Sequence, residues 1–510
     1  MTQLPERELI DKNQLFGTEH LKADLKGRAV RGGAFTLGGQ GMSFLLQMAS
    51  TVILARLLTP QDYGLIAMIT AVTGFVALFK DLGLSMATVQ KDRITHEQIS
   101  TLFWINVALS VMVMLVAMAL APAIAWFYGE PKLQPLTLVM AVGFVFGGLC
   151  AQHSALLRRQ MRFGTLALID ILRLAVSVVV GIITALAGAG VWALVYMTLS
   201  GSLFNAVAVW IVCCWRPSLP VRHAGVRSML GFGANLTGFN ILNYFARNLD
   251  NVLIGRFCDA DVLGVYNKAY NLLLLPIEQI NGPVTAVALP ALSRLQNQPE
   301  RFKSYYTKGI FLVAFITMPI VLFLFAASEL AILIVLGSQW VNAATIFRLL
   351  MPAAFIGTFN IATGWVYISL GQPNRQFRMG IVCALVTMMS FAIGIRWGAI
   401  GVASAFSIAN CVMLYPRIIY CFRRSPLHVK DLLNALWKPA VASLVACASV
   451  FSVGSVLSLD YGAVVEFTIK LSVFGVMYIL SWCLMPKGRE TLYEVLHTMR
   501  DLRSIPKGGI

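Results

Sequence analysis

The hydrophobic pattern of this chain is a succession of long apolar runs, broken by short connections rich in charge, glycine or proline. A run of about 18 apolar residues is long enough to cross the hydrocarbon core of a bilayer as a helix. Such runs lie near 29–55, 63–90, 99–121, 133–157, 164–187 and 190–214, and again near 228–255, 262–290, 308–335, 343–370, 376–396 and 399–421. Two more lie near 437–458 and 463–485. The pattern predicts an all-α polytopic membrane protein with about 14 transmembrane helices.

Two of the runs are not uniformly apolar. Thr51–Gly64 reads TVILARLLTPQDYG and Asn251–Gly264 reads NVLIGRFCDADVLG, so a helix and its exit loop recur at a spacing of 200 residues. Arg56 matches Arg256, and Gly64 matches Gly264. Upstream, Gln40, Ser43, Gln47 and Ser50 correspond to Asn240, Asn243, Arg247 and Asp250, and the 0, 3, 7, 10 spacing puts each set on one helical face. A polar stripe inside a span cannot face lipid without a large cost, so it must face protein or water. Two stripes, one per repeat, predict two lobes lining a shared aqueous cavity, which is the build of a transporter. Six spans per repeat make the lobes parallel. The expected division is a cytoplasmic segment 1–27, a first lobe 28–225, a second lobe 226–425, two further spans in 426–486, and a tail 487–510 lying as an amphipathic helix on the inner leaflet.

Composition agrees with the pattern: the 510 residues are 58% hydrophobic and only 12% charged, outside the range of soluble domains. The net charge of +17 does not point to nucleic acid. Counting Lys and Arg in alternate connections gives about 30 on the side shared by both termini, and only Arg56, Lys132, Arg256 and Arg396 on the other. That asymmetry is the positive-inside distribution, and it predicts two cytoplasmic termini. Residues 1–27 carry no apolar run or small-residue cleavage site, so no signal peptide is expected. The nine cysteines form no CxxC or Cys/His cluster, and no GxxxxGK[ST] loop is present, so no metal site, disulfide framework, ATP site or cofactor is expected. Asp259-Ala260-Asp261 matches the Asp-x-Asp of metal-dependent glycosyltransferases, but so short a pattern is common by chance and this one lies in a loop predicted to face outward. No long outer loop offers catalytic residues either. A secondary transporter, not an enzyme, is expected.

Ionisable residues inside spans are the functional candidates. Asp170 and Arg173 lie three apart and Glu466 and Lys470 four apart, spacings that let each pair neutralise itself on one helical face. Lys80 and Asp81 are adjacent and so point to different sides of the second span. Arg247 differs because it continues the Asn240, Asn243, Asp250 stripe, with Asn251 beside it. Lys268 and Arg348 come to similar depth in the second lobe, and three cations at one level suggest a site for an anion such as a phosphate, which Arg binds in bidentate fashion. The matching places in the first lobe are Gln47 and Ser50, so its half of the cavity is expected to be polar but nearly uncharged. Asp250 and Glu278 are the candidates for coupling to an ion gradient. Pro276, Gly282, Pro283 and Pro290 are expected to interrupt the eighth span, and Pro319 and Pro352 the ninth and tenth.

Several runs also carry a family resemblance. ARLLTPQDYGL after the first span, DLGLSMATVQ (Asp81 to Gln90), NLDNVLIGRF (Asn248 to Phe257) followed by LGVYNKAYNL, and LPALSRLQ (Leu289 to Gln296) resemble the polysaccharide transporter branch of the multidrug/oligosaccharidyl-lipid/polysaccharide flippase superfamily. The nearest resemblance is to the Wzx-type exporters of the colanic acid and succinoglycan kind, over about residues 25 to 485. It implies a multi-pass protein of the bacterial inner membrane that flips an undecaprenyl-pyrophosphate-linked oligosaccharide repeat unit from the cytoplasmic to the periplasmic leaflet. Alternating access of two lobes around a cationic, V-shaped cavity would do this during exopolysaccharide or O-antigen synthesis, and a polysaccharide polymerase or export complex is the implied partner. The cavity cations carry over onto Arg247, Lys268 and Arg348, with Asn240, Asn243, Asn251 and Gln47 placed to bind hydroxyls. A related lipid flippase of peptidoglycan synthesis has a cation in its first span that this chain lacks. Two rival readings are a cation-coupled multidrug antiporter of the same superfamily, which should prefer an acidic cavity, and a non-transporting assembly protein of an envelope polysaccharide complex, against which the duplicated stripe argues.

Overall fold

A computed structural model describes residues 25–81, 83–91, 94–221, 243–456 and 462–493, and among them every regular element is a helix. The chain divides into two compact units, Met1–Gly264 and Val265–Ile510.

The first unit holds α1 (Leu25–Leu57), α2 (Pro60–Ala77), the short α3 (Leu84–Gln90), α4 (His96–Tyr128), α5 (Leu133–Ala141), α6 (Gly143–Arg159), α7 (Phe163–Leu186) and α8 (Val191–Cys213). They are followed by α9, residues 243–257, and by the first turn of α10 (Ala260–Arg294). Local chemistry sets the boundaries. Thr59 and Asp62 form a reciprocal capping box ahead of α2, with the Asp62 carboxylate accepting from the Thr59 amide at 2.9 Å and Pro60 pre-set for the first helical position. Thr95 and Gln98 repeat the device for α4, which ends at Gly129 in the left-handed region that glycine adopts without strain. Helix α7 runs along α1 and α8, while α6 packs on α4 and α8. The core between them includes Leu84, Ile99, Leu102, Phe103, Leu156 and Trp215.

The repeat read in the sequence has a structural counterpart. Helix α1 ends at residue 57 and α9 at 257, and the next helices begin at 60 and 260. Leu54 and Ile254 are both buried, and their carbonyls accept the amides of Leu58 and Cys258 at 2.9 and 2.8 Å. Ser50 and Asp250 are buried to 6% and 3% exposure. Gln47 and Arg247, one turn earlier, are exposed in both copies. The Asp-Ala-Asp run simply opens α10, whose first turn closes with the Leu263 amide donating to the Asp259 carbonyl.

The single span expected over 63–90 is not one helix. Helix α2 stops at Ala77, a turn follows, and Gly83 at φ 72° leads into α3. Asp81 holds this break, accepting from the Ser85 hydroxyl at 2.7 Å and from its amide at 3.3 Å.

The second unit continues α10 and adds α11 (Pro299–Ala326), α12 (Ser328–Val335), α13 (Asn342–Ser369), α14 (Pro373–Gly394), α15 (Gly398–Phe422), α16 (Val429–Val456) and α17 (Ala463–Leu484). Pairs α11/α16 and α13/α15 pack closely around a core that includes Phe302, Tyr306, Trp365 and Phe422, while α17 packs on α16 in a second cluster with Phe323, Ala446 and Phe474. Lys303 and Asp431, 2.8 Å apart, join the starts of α11 and α16, and the Glu466–Lys470 pair closes at 2.7 Å. Two expectations fail here. Helix α10 runs unbroken through Pro276, Pro283 and Pro290, as α11 does through Pro319 and α13 through Pro352. A proline in a span forfeits one backbone hydrogen bond without ending the helix, because neighbouring groups can take up the freed carbonyl. The break in the run 308–335 falls instead at Ala327, between α11 and α12.

Among the described residues, ten helices are long and apolar enough to cross a membrane, one of them the continuous stretch Pro373–Phe422 that contains two of the expected spans. The spans expected at 29–55, 63–90 and 228–255 fall outside these ten. The polar stripe dilutes the first, the break after Ala77 shortens the second, and residues 228–242 of the third lie outside the described residues.

Candidate functional site

The expected site residues are distributed over both units. Asn243 and Arg247 are exposed on α9, Asp250 is buried, and Asn251 is half-buried with its amide donating to the Asp250 carboxylate at 2.8 Å. Gln47 is exposed on α1, and Asn240 lies outside the described residues. These belong to the first unit, whereas Lys268 (half-buried, α10), Glu278 (exposed, α10) and Arg348 (α13) belong to the second. Arg348 already has partners: its Nη2 lies 3.0 Å from Glu329 and its Nε donates to the Ser328 hydroxyl at 3.1 Å, both on α12.

A charged cavity appears where the sequence suggested little charge. It occupies about 650 Å³ within the first unit and is lined by Lys80, Asp81, Arg158, Asp170, Arg173 and Asn205, with Ser85, Ser154 and Ser202 beside them. The break after α2 supplies Lys80 and Asp81, the last turn of α6 supplies Arg158, and α7 supplies Asp170 and Arg173. Three cations face two carboxylates, one of which, Asp81, is committed to Ser85. Asp170 and Arg173 form a loose pair, Nε to Oδ1 3.6 Å, with side chains 63% and 42% exposed.

The wall contributed by α6 is kept low by glycine. Gly143 and Gly147 line the cavity one turn apart, and a side chain at Gly147 would start 3.8 Å from Lys80 Nζ. Asn205 donates to the Cys150 sulfur at 3.3 Å, which fixes the amide on α8 against α6. A second hollow of about 410 Å³, between α5, α6, α7 and α8, is lined largely by Val139, Val142, Phe146, Val180, Leu199 and Leu203 and suits hydrocarbon only. The sequence pattern put Lys80 and Asp81 on different sides of a helix and did not single out Arg158. The signal that could have gathered them is the GFVFG run on α6, small residues one turn apart that open a face toward whatever charge lies at the same depth.

A model of the polysaccharide biosynthesis protein family matches residues 53–345. The chain belongs to that family. Its relatives include the lipopolysaccharide biosynthesis protein WzxC of Escherichia coli K12, 25% identical over 422 residues that cover 81% of this chain and 85% of that one. The succinoglycan biosynthesis transport protein ExoT of Rhizobium meliloti is 25% identical over 406 residues, covering 79% and 82%. Among solved structures, the lipid II flippase MurJ in an inward closed conformation superposes with a TM-score of 0.73 at 15% identity, covering 90% of this chain and 98% of MurJ. A multidrug resistance MATE family transporter in its inward-facing conformation gives 0.59 at 15% identity, covering 80% and 99%. Those identities establish a shared fold, that of helical polytopic transporters. This member of the polysaccharide biosynthesis family thus has the fold of multi-pass helical membrane transporters.

Proposed function

We propose that the protein flips undecaprenyl-pyrophosphate-linked oligosaccharide repeat units from the cytoplasmic to the periplasmic leaflet of a bacterial inner membrane, by alternating access of two lobes, for synthesis of an exopolysaccharide or O-antigen. The observation that carries the reading is a cavity with excess positive charge inside an otherwise apolar helical unit. A pyrophosphate and a glycan cannot cross hydrocarbon unaided, whereas a polyprenyl tail can remain in lipid beside the protein. Cations and side-chain amides replace the head group's water. Arg247, Lys268 and Arg348 would balance further negative charge, with Asn243, Asn251 and Gln47 for hydroxyls, and Asp250 or Glu278 would couple transport to an ion gradient. For Arg348 this requires exchange of Glu329 for substrate, since the two are paired at rest. A multidrug antiporter for cationic drugs is disfavoured by the same charge balance.

The test is an export assay in the bacterium that carries this gene, with the gene intact or deleted. Deletion should leave lipid-linked repeat units in the inner leaflet. Arg247→Ala should lower export about tenfold or more at unchanged protein level, and Arg247→Lys should restore part of it, because Lys keeps the charge but not the bidentate fork. Normal surface polysaccharide in the deletion strain would refute the flippase reading. Loss of the protein from the membrane in both variants would assign Arg247 a purely structural part.

A further inference from the structure

The cavity of the first unit lies outside the polar stripe, and nothing in the repeat anticipates it. We propose that Lys80, Arg158 and Arg173 form a diphosphate-binding site in which Asp170 is a resting counter-ion displaced by the ligand; the identity of that ligand as a lipid-linked diphosphate rests on the flippase reading above. The cations are graded in depth. Arg158 and Lys80 sit at helix ends, in the last turn of α6 and the turn after α2, while Arg173 lies ten residues into α7, about 15 Å along its axis. A charged head entering from those helix ends meets two cations first and a third further in.

The two carboxylates differ in a way that supports binding of an anion. Asp81 accepts two hydrogen bonds from Ser85 and so holds the turn, which fixes its carboxylate in place. Asp170 reaches only Arg173 among the contacts seen, at 3.6 Å, well beyond the 2.7–2.9 Å of a tight charge-assisted bond. A pair that loose and that exposed resists displacement weakly. A diphosphate offers more acceptor oxygens and more charge than one carboxylate, and the guanidinium fork of Arg173 fits it in bidentate geometry. Gly143 and Gly147 leave room beside Lys80, and the volume is ample for a diphosphate with its first sugar. Ser154, Ser202 and Asn205 add neutral groups along the same wall.

The experiment measures binding of farnesyl diphosphate to the full-length protein in lipid nanodiscs, with farnesol as the uncharged control. Wild type should bind the diphosphate and not the alcohol. Arg173→Gln should weaken binding about tenfold or more, since a charged hydrogen-bonding partner is lost. Asp170→Asn should tighten it about threefold, the size expected for removing an exposed competing carboxylate. Effects of opposite sign separate this site from a merely structural pair, in which both substitutions would act alike. The double variant, neutral like the resting pair, guards against misfolding. Equal affinity in Arg173→Gln and wild type, or weakening in both single variants, overturns the site. Full export in cells by an Arg173→Gln protein that has lost the diphosphate would leave the anion site standing and overturn its part in flipping. If the opposite-sign binding effects hold but the deletion strain still exports normally, the anion site stands and the flippase reading is what falls.

Discussion

Gly64→Ala and Gly264→Ala will each lower the melting temperature of the purified protein and sharply reduce export, although each adds only one methyl group. A Cβ at Gly64 would overlap the carbonyl of Ala260, and a Cβ at Gly264 would overlap the carbonyl of Pro60. The two contacts are the same contact seen from each copy of the repeat: the first residue of one helix against the fifth position of the other. A side-chain tip could swing aside, but a helical carbonyl cannot, so the ends of α2 and α10 must part. Overpacking of this sort costs about 1–3 kcal/mol, and a backbone obstacle places it at the upper end of that range. Gly41→Ala is the control, since open space surrounds that position and the change should be neutral or slightly stabilising. Wild-type melting and export in Gly64→Ala would mean that these helix ends are not in contact in the membrane. Tyr244 on α9 makes a related approach, its hydroxyl donating to the Thr70 and Ala71 carbonyls at 3.0 and 2.9 Å in the space left by Gly74.

The correspondence of Gly64 with Gly264 was legible because two segments 200 residues apart share a motif, whereas the contact between the two helix ends is seen only in the structure. The polar stripe was legible for a similar reason, since helical periodicity survives in any context that keeps the helix. The cavity was not legible, because it depends on where a helix stops. An apolar run continues past Ala77, and only the turn before Gly83 frees Lys80 and Asp81 from the rule that helical neighbours diverge. Arg348 shows a second limit. Its partner Glu329 lies on a separate short helix, a pairing that no periodicity encodes. The prolines of α10 show a third. Proline penalises a helix locally, whereas the surrounding bundle decides whether the helix continues.

Arg159→Met will destabilise the protein far more than the same change at its neighbour, Arg158→Met. Both read in the sequence as charge at the end of a span, but Arg158 is exposed in the cavity while Arg159 is 5% exposed. Arg159 Nη1 donates to the carbonyls of Thr88, Val89 and Lys91, the last of these the shortest contact. Those carbonyls end α3, where a helix has no backbone donors left to offer and where a cation is favoured by the helix dipole. The same layer is closed by the Thr88 hydroxyl donating to Gln152 at 2.8 Å, both side chains fully buried. Methionine fills similar volume but leaves buried acceptors unsatisfied, at a cost of about 3 kcal/mol or more. Val89 also lines the cavity, so a loosened α3 removes part of its wall. Hydrogen exchange should therefore accelerate across residues 84–91 in Arg159→Met, together with a lowered melting temperature, and Arg159→Lys should recover part of both by reaching one carbonyl. Arg158→Met should keep the wild-type melting temperature and exchange pattern while weakening farnesyl diphosphate binding. Equal destabilisation by the two substitutions would refute the division of one arginine pair into an anchor for α3 and a ligand for the cavity.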